Sequence, residues 1–331
     1  MATIRDVAQK AGVGVATVSR VLSENGYVKE ETKQKVMDAI RELNYTPNEI
    51  ARNLYYKRTG IVAVIIPQIS HPFFAEFVDR VVVELFAYDY KAMICNTWSE
   101  GSYELQYFDM LKRNMVDGII CGTHSITNEE YFNIDRPIVA LDHTFGRGIP
   151  CVSVDHREGG RLAAMELIQA GCKNVLQFRG SSNIDSPALL RHTVFEQIIH
   201  ENNIGYQEIV TDMNDLSEAT ADKAAREFFE KYPEVDGIFG TDYMVMSVMK
   251  RAHELGIDIP SKLKVVGYDG TAMSRLASPG LTTVCQPIGD LAKESVKIMM
   301  DLINGKTDEC SDVHLSVSLH KDKSTAIDIY K

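Results

Sequence analysis

Residues Gly12 to Leu22 read GVGVATVSRVL, small and β-branched side chains with a lone arginine. By propensity this is a poor helix, because valine and threonine lose side-chain freedom in a helix and glycine costs more still. Two readings compete. The stretch is either a core-facing turn or a short helix whose small residues let it press into a groove.

The flanking residues favour the helix. Thr3 followed three residues later by Asp6 is a capping-box start, and Ile4, Val7, Ala8 and Ala11 share one helical face. Gly12 then punctuates as a C-terminal glycine does. A second helix is expected from Val15 to Leu22. A third lies in KEETKQKVMDAIREL, with acids at its start, the stripe Val36, Ile40 and Leu43, and Asn44 at its close. Two helices joined by a tight glycine-containing turn, with a third packed across them, make a helix-turn-helix. Val18, Val21 and Leu22 then face the other helices, while Val15, Ala16, Thr17, Ser19 and Arg20 face outward. Arg20 has the reach to hold guanine bidentately, and Thr17 and Ser19 can bond phosphate or base. A half-exposed helix in an unrelated small domain is the competing reading.

After Asn44 comes YTPNEIARNLYYKRTG. Pro47 and Asn48 can open a short helix from Asn48 to Tyr55, with Ile50, Ala51 and Leu54 on one face and Arg52, Lys57 and Arg58 as basic neighbours. The segment reads either as a solvated linker or as a hinge that orders on DNA, with Leu54 wedged between base steps in the minor groove.

The chain has 331 residues, 45% of them hydrophobic, enough for two or three domains. Its net charge of −11 is uneven: residues 1–58 carry ten Lys and Arg against seven Asp and Glu, the remainder 25 against 39. A basic head on an acidic body suits a nucleic-acid-binding module. No apolar run is long enough to span a membrane, and the N-terminus is a charged, periodic segment rather than a signal peptide, so cytoplasmic residence is expected. The six cysteines lie scattered, mostly in apolar runs, which predicts buried thiols and neither a disulfide framework nor a metal site. No cofactor is called for.

Past Gly60, short apolar runs alternate with helical patterns. Expected strands are IVAVII, KAMICNT, VDGIICG, PIVALD, CVSVD, NVLQFRG, EIVTDM, DGIFGTD, KVVGYDG and LTTVCQ; helical runs such as GGRLAAMELIQA and EATADKAAREFFEKY separate them. Repeated βαβ units give parallel sheets covered by helices, and so many strands suggest two lobes. Ligands sit beyond the carboxyl ends of such strands. His71, Phe73, Phe74, Asp142, His143, Arg191, Thr241, Asp242, Asp269 and Gln286 all fall there. Rings that stack on apolar sugar faces, beside carboxylates, an arginine and an amide that read hydroxyls, form the chemistry of a saccharide site. Each residue alone has a structural reading; Asp242, for instance, could cap the next helix.

TIRDVAQKAGV…ATVSRVL and ETKQKVMDAIRELNYTPNEIARNL resemble the head and hinge of the lactose/galactose-repressor family of bacterial transcription regulators. Gly14 stands where that family usually has a serine cap, and Tyr55 and Tyr56 replace small residues after the hinge leucine. The body is similar to the family's effector domain, itself like periplasmic sugar-binding proteins. VVVELFAYDYKAMICNT, VDGIICGTHSI, EGGRLAA and VVGYDGT look closer still to sucrose-operon repressors of Gram-positive bacteria. The resemblance implies an all-α helix-turn-helix head at 1–46, a hinge helix and linker at 47–59, and an α/β periplasmic-binding-protein-like core of two parallel-sheet lobes at 60–331. Lobe one would take about 60–157 and 287–315, lobe two about 158–286 and 316–331. It further implies DNA contacts by Thr3, Val15, Ala16, Thr17, Ser19, Arg20, Asn48, Ala51, Leu54 and Lys57. The implied effector contacts are His71, Phe73, Phe74, Asp142, His143, Arg191, Thr241, Asp269 and Gln286, with Thr241 where an asparagine is usual.

The expected function is thus a homodimeric, allosteric repressor of a carbohydrate-utilisation operon. It would bind double-stranded operator DNA and respond to sucrose, fructose or a related saccharide between the lobes. The lack of a heptad tail speaks against tetramers. A non-sugar effector, or a phosphocarrier-protein corepressor such as some relatives use, is one alternative. A sugar-processing enzyme is another, although the chain has no G-x-S-x-G, Walker, H-E-x-x-H or G-x-G-x-x-G motif.

Overall fold

A computed structural model of the chain describes residues 2–23, 26–46, 58–98, 101–123, 136–145, 148–181, 186–212, 215–306 and 310–326. The expected hinge helix, with Asn48, Ala51, Leu54 and Lys57, lies outside the described residues. The chain divides into two compact units, Met1–Thr59 and Gly60–Lys331.

The first unit is built from α1 (Ile4–Ala11), α2 (Val15–Ser23) and α3 (Glu30–Glu42). A complete capping box starts α1: the Asp6 amide donates to Thr3 Oγ1, and the Thr3 amide and hydroxyl both donate to the Asp6 carboxylate, at 2.7 and 2.8 Å. Gly12 ends α1 in the left-handed region at φ 66°, which glycine enters without steric cost. The amides of Thr17 and Val18 then reach the Gly14 carbonyl and open α2. Val7, Ala8, Val18, Val21, Val36 and Ala39 form the buried core, with Leu22, Ile40 and Leu43 packed half-buried against it. Burying a valine is worth about 1.5–3 kcal/mol, against a helix-propensity penalty of about 0.7 kcal/mol or less. Tertiary packing therefore decides the conformation of GVGVATVSRVL.

The second unit contains two six-stranded sheets. The first comprises β1 (Ile61–Ile66), β2 (Lys91–Asn96), β3 (Gly118–Cys121), β4 (Ile138–Leu141), β5 (Cys151–Val154) and β11 (Val313–Leu315), in the order β11-β5-β4-β3-β1-β2 with every pair parallel. The helices α4 (Pro72–Phe86) and α10 (Ile288–Ile303) contribute Phe77, Val81, Leu85, Leu291, Val296 and Met299 to one of its cores, and α5 (Gly101–Lys112) contributes Phe108 and Leu111 to the other. The second sheet comprises β6 (Asn174–Gly180), β7 (Gly205–Thr211), β8 (Gly237–Phe239), β9 (Lys264–Asp269), β10 (Thr282–Cys285) and β12 (Ser318–His320). Its order is β12-β10-β9-β8-β6-β7, parallel except for β12 on β10. The helices α6 (His156–Gln169) and α7 (Leu190–Glu201) share one core with this sheet, α8 (Glu218–Lys231) and α9 (Asp242–Glu254) another.

All ten expected strands are present, and β7 starts earlier than expected because Gly205–Gln207 also pair with β6. The chain crosses between the sheets after β5, after β10 and after β11. Among the described residues no helix is long and apolar enough to cross a membrane, and no group of three or more His, Cys, Asp or Glu is placed to hold a metal. The six cysteines form no disulfide; Cys95, Cys121, Cys151 and Cys172 are buried, while Cys285 and Cys310 are partly exposed.

Candidate functional site

In each sheet the parallel strands end along one edge, and the connections leaving those edges carry the polar residues. A cavity of about 160 Å³ is lined by His71, Phe73 and Phe74 after β1, Asp142 after β4, Arg179 on β6, Arg191 on α7, Thr241 after β8, Asp269 closing β9 and Gln286 after β10. The fold thus brings together all but one of the expected effector residues. The exception is His143, buried with its ring edge-on to Phe145 at 4.4 Å between centroids and not part of the lining. β4 ends at Leu141 and Asp142 has φ 51°, in the left-handed region, so the backbone turns between the strand and His143 and the two side chains do not share a direction.

Each lining residue has a physical setting. His71 precedes α4 without capping it; burial, then the nearby Arg191 charge, lowers its pKa to about 4, so the ring is neutral at physiological pH. Its Nδ1 is buried with no hydrogen-bond partner among the described residues, and so is Oε1 of Gln286. A buried polar atom left unpaired costs about 1–3 kcal/mol, so these two atoms, both on cavity-lining side chains, fit a polar ligand. The Gln286 amide donates from Nε2 to Asp269 Oδ1 at 2.8 Å. Burial, then the neighbouring Asp242 charge, raises the Asp269 pKa to about 8, so this carboxyl is an O–H donor at neutral pH. Asp242 does not cap α9. Its carboxylate accepts from the Thr271 amide and hydroxyl and from the Thr283 hydroxyl, fastening α9 to the turn after β9 and to β10. Thr241 precedes α9 without a side-chain cap bond.

Sequence reasoning did not single out Arg179, Tyr243, Asp215 or Ser217, which also line the cavity. Arg179 is held by Glu208 through two bonds, at 2.6 and 2.9 Å, and Tyr243 meets His71 edge-on at 5.5 Å. Arginine at a strand end was the one signal available; Asp215 and Ser217 depend on where the residues just before α8 come to rest, and Tyr243 on the placement of α9. Hydrogen bonds also cross between the sheets at the mouth: Ser186 Oγ donates to the Asp142 carbonyl at 2.7 Å, and the Ala272 amide donates to Glu76 Oε1 at 2.6 Å.

In the first unit, Val15, Ala16, Ser19 and Arg20 are exposed along α2 and Thr17 is half-buried. Thr3 is exposed, with its hydroxyl engaged in the capping box.

A chain that combines a helix-turn-helix unit with a two-sheet core carrying a polar cavity at its strand ends has the build of a ligand-responsive regulator. Residues 3–48 match the bacterial regulatory proteins of the lacI family, and residues 164–325 match a periplasmic binding protein-like domain. The chain is 39% identical to a ribose operon repressor from Halalkalibacterium halodurans over 92% of both chains. It is 37% identical to a sucrose operon repressor from Streptococcus mutans over 98% of this chain and 99% of that one. A lac repressor dimer solved with operator and the anti-inducer ONPF shares the fold at a TM-score of 0.85 and 24% identity, covering 98% of this chain and 99% of that one. The chain belongs to the lacI family of bacterial regulatory proteins, and is a transcription regulator rather than an enzyme. The resemblance to sucrose-operon repressors stands, joined by an equal resemblance to a ribose operon repressor.

Proposed function

We propose that this protein is a cytoplasmic, homodimeric repressor of a carbohydrate-utilisation operon whose effector is a saccharide held in the core cavity. The observation that carries this reading is the convergence of His71, Phe73, Phe74, Asp142, Arg191, Thr241, Asp269 and Gln286 on one cavity, with polar atoms on His71 and Gln286 that have no partner among the described residues. Aromatic faces suit the apolar side of a sugar ring. A neutral imidazole, a protonated carboxyl, a second carboxyl group, a guanidinium and an amide suit its hydroxyls. The names of the ribose and sucrose operon repressors support the same ligand class.

The partner at the other end is operator DNA. Val15, Ala16, Thr17, Ser19 and Arg20 read the major groove from α2 while Thr3 steadies the start of α1. Asn48, Ala51, Leu54 and Lys57 enter the minor groove from the hinge of each protomer. The effector shifts operator affinity by the difference in its own affinity for the two states of the core, which occupies residues 60–331 as two lobes.

A thermal-shift screen of ribose, sucrose, fructose and their phosphates tests the effector reading, since a ligand that binds the folded state raises its melting temperature. A saturable rise with at least one sugar is expected. No shift, or turnover of a sugar by the pure protein, would overturn it. Selection of DNA from a random pool should yield a pseudo-palindrome, and recovery of no common sequence would overturn the operator reading.

A further inference from the structure

EGGRLAA, the run at residues 158–164, adjoins a chain of buried contacts between the two sheets. Asp142 Oδ1, at the end of β4, lies 2.9 Å from His156 Nε2, and His156 Nδ1 lies 2.8 Å from the Tyr268 hydroxyl on β9. The Arg191 guanidinium carbon then sits 4.3 Å from the centroid of the Tyr268 ring. The His156 side chain and Tyr268 are fully buried, and neither lines the cavity; Asp142 and Arg191 both do.

The protons in this chain have one arrangement for a neutral imidazole. An ionised carboxylate only accepts, so Nε2 of His156 carries the hydrogen, and Nδ1 is left to accept from the Tyr268 hydroxyl. Burial pushes the Tyr268 phenol upward, which keeps it a donor. The two glycines make room. A Cβ at Gly159 would lie 2.7 Å from the Tyr268 ring, and one at Gly160 would lie 2.2 Å from the Arg191 carbonyl oxygen.

We propose that His156 and Tyr268 are positioning residues that register Asp142 of the first sheet against Arg191 of the second, so that the two sides of the cavity grip a ligand as one unit. This inference rests on the cavity being the effector site. Tyr268 holds Arg191 by its face and Asp142 by its hydroxyl, through His156. Removing the hydroxyl leaves the ring under Arg191 but takes away the contact that fixes the imidazole facing the Asp142 carboxylate.

The test is a double-mutant cycle on the full-length protein, read by calorimetric titration with ribose, sucrose and fructose and accompanied by thermal melts. Tyr268→Phe should weaken binding of the recognised sugar about tenfold, because an acceptor is left unpaired and a ligand group loses its register. In an Asp142→Asn background the same change should cost less than about twofold, since coupled residues are non-additive and independent ones add. Unchanged binding by Tyr268→Phe, or a full tenfold loss in both backgrounds, would overturn the inference while leaving the effector site intact. Absence of binding by the unmutated protein would overturn the effector site itself, and the inference with it. A second measurement needs no variant. With ¹⁵N-labelled histidine, saturating sugar should shift the ring resonances of His156 although that residue does not line the cavity, and no shift would overturn the proposal.

Discussion

Gly160→Ala sets two known effects against each other. The position lies inside α6, where replacing glycine by alanine gains about 1 kcal/mol of helix propensity. Against this, the new Cβ would stand 2.2 Å from the Arg191 carbonyl oxygen, 2.9 Å from its carbon and 3.0 Å from its Cα. Ordinary contact begins near 3.4 Å, so the backbone at the start of α7 must retreat by about 1 Å. The obstacle is backbone rather than the end of a flexible side chain. The upper part of the usual overpacking range, about 2–3 kcal/mol, therefore applies. The net is about 1–2 kcal/mol of destabilisation, or about 2–8 °C in the melting temperature of a unit this size. Because Arg191 moves with its backbone, sugar affinity should fall about tenfold or more. Gly289→Ala is the control: it lies in α10 with no atom of the described residues within 4 Å of its Cβ, and should stabilise by about 0.4–1 kcal/mol. Differential scanning calorimetry on both variants decides the matter. A Gly160→Ala protein that melts higher than the parent and binds sugar unchanged would refute the close-packing argument.

Arg20→Ala should cost about 1–3 kcal/mol of specific operator affinity, measured by fluorescence anisotropy on a pool-selected site, while leaving sugar binding unchanged. Gly14→Ser should stabilise the head by a few tenths of a kcal/mol in chemical denaturation, because a Cβ there meets open space and the hydroxyl can cap α2. Asp269 has a folded-state pKa of about 8 against 3.8 for the free group, so the folded chain holds a proton that the unfolded chain releases. Its stabilising contribution is complete below about pH 4 and is lost as pH rises through about 8. Asp269→Asn should flatten that decline in a pH series of urea midpoints, and an unaltered slope would count against a protonated Asp269.

The sequence made the layered architecture readable because parallel strands buried on both faces are near-continuous apolar runs, as in IVAVII and PIVALD. β11 and β12 were not legible. Each is three residues long, half-exposed, and paired through residues distant in the chain, such as Thr283 with His320. The same limit applies to the cavity. Asp142, Asp269 and Gln286 were visible as polar residues closing apolar runs, whereas Tyr243 and Ser217 enter through helix placement. His143 has the same local pattern as Asp142, yet it faces Phe145.

The three crossings between the sheets have a mechanical consequence. One residue separates β5 from α6, two separate β10 from α10, and two separate β11 from β12. At about 3.3–3.6 Å per extended residue, such short tethers bar the halves from drifting apart but still permit rotation about an axis through them. Three tethers in parallel are also redundant. A protease that cut one would leave the halves joined by the other two, and the cleaved protein would migrate as two fragments only after denaturation.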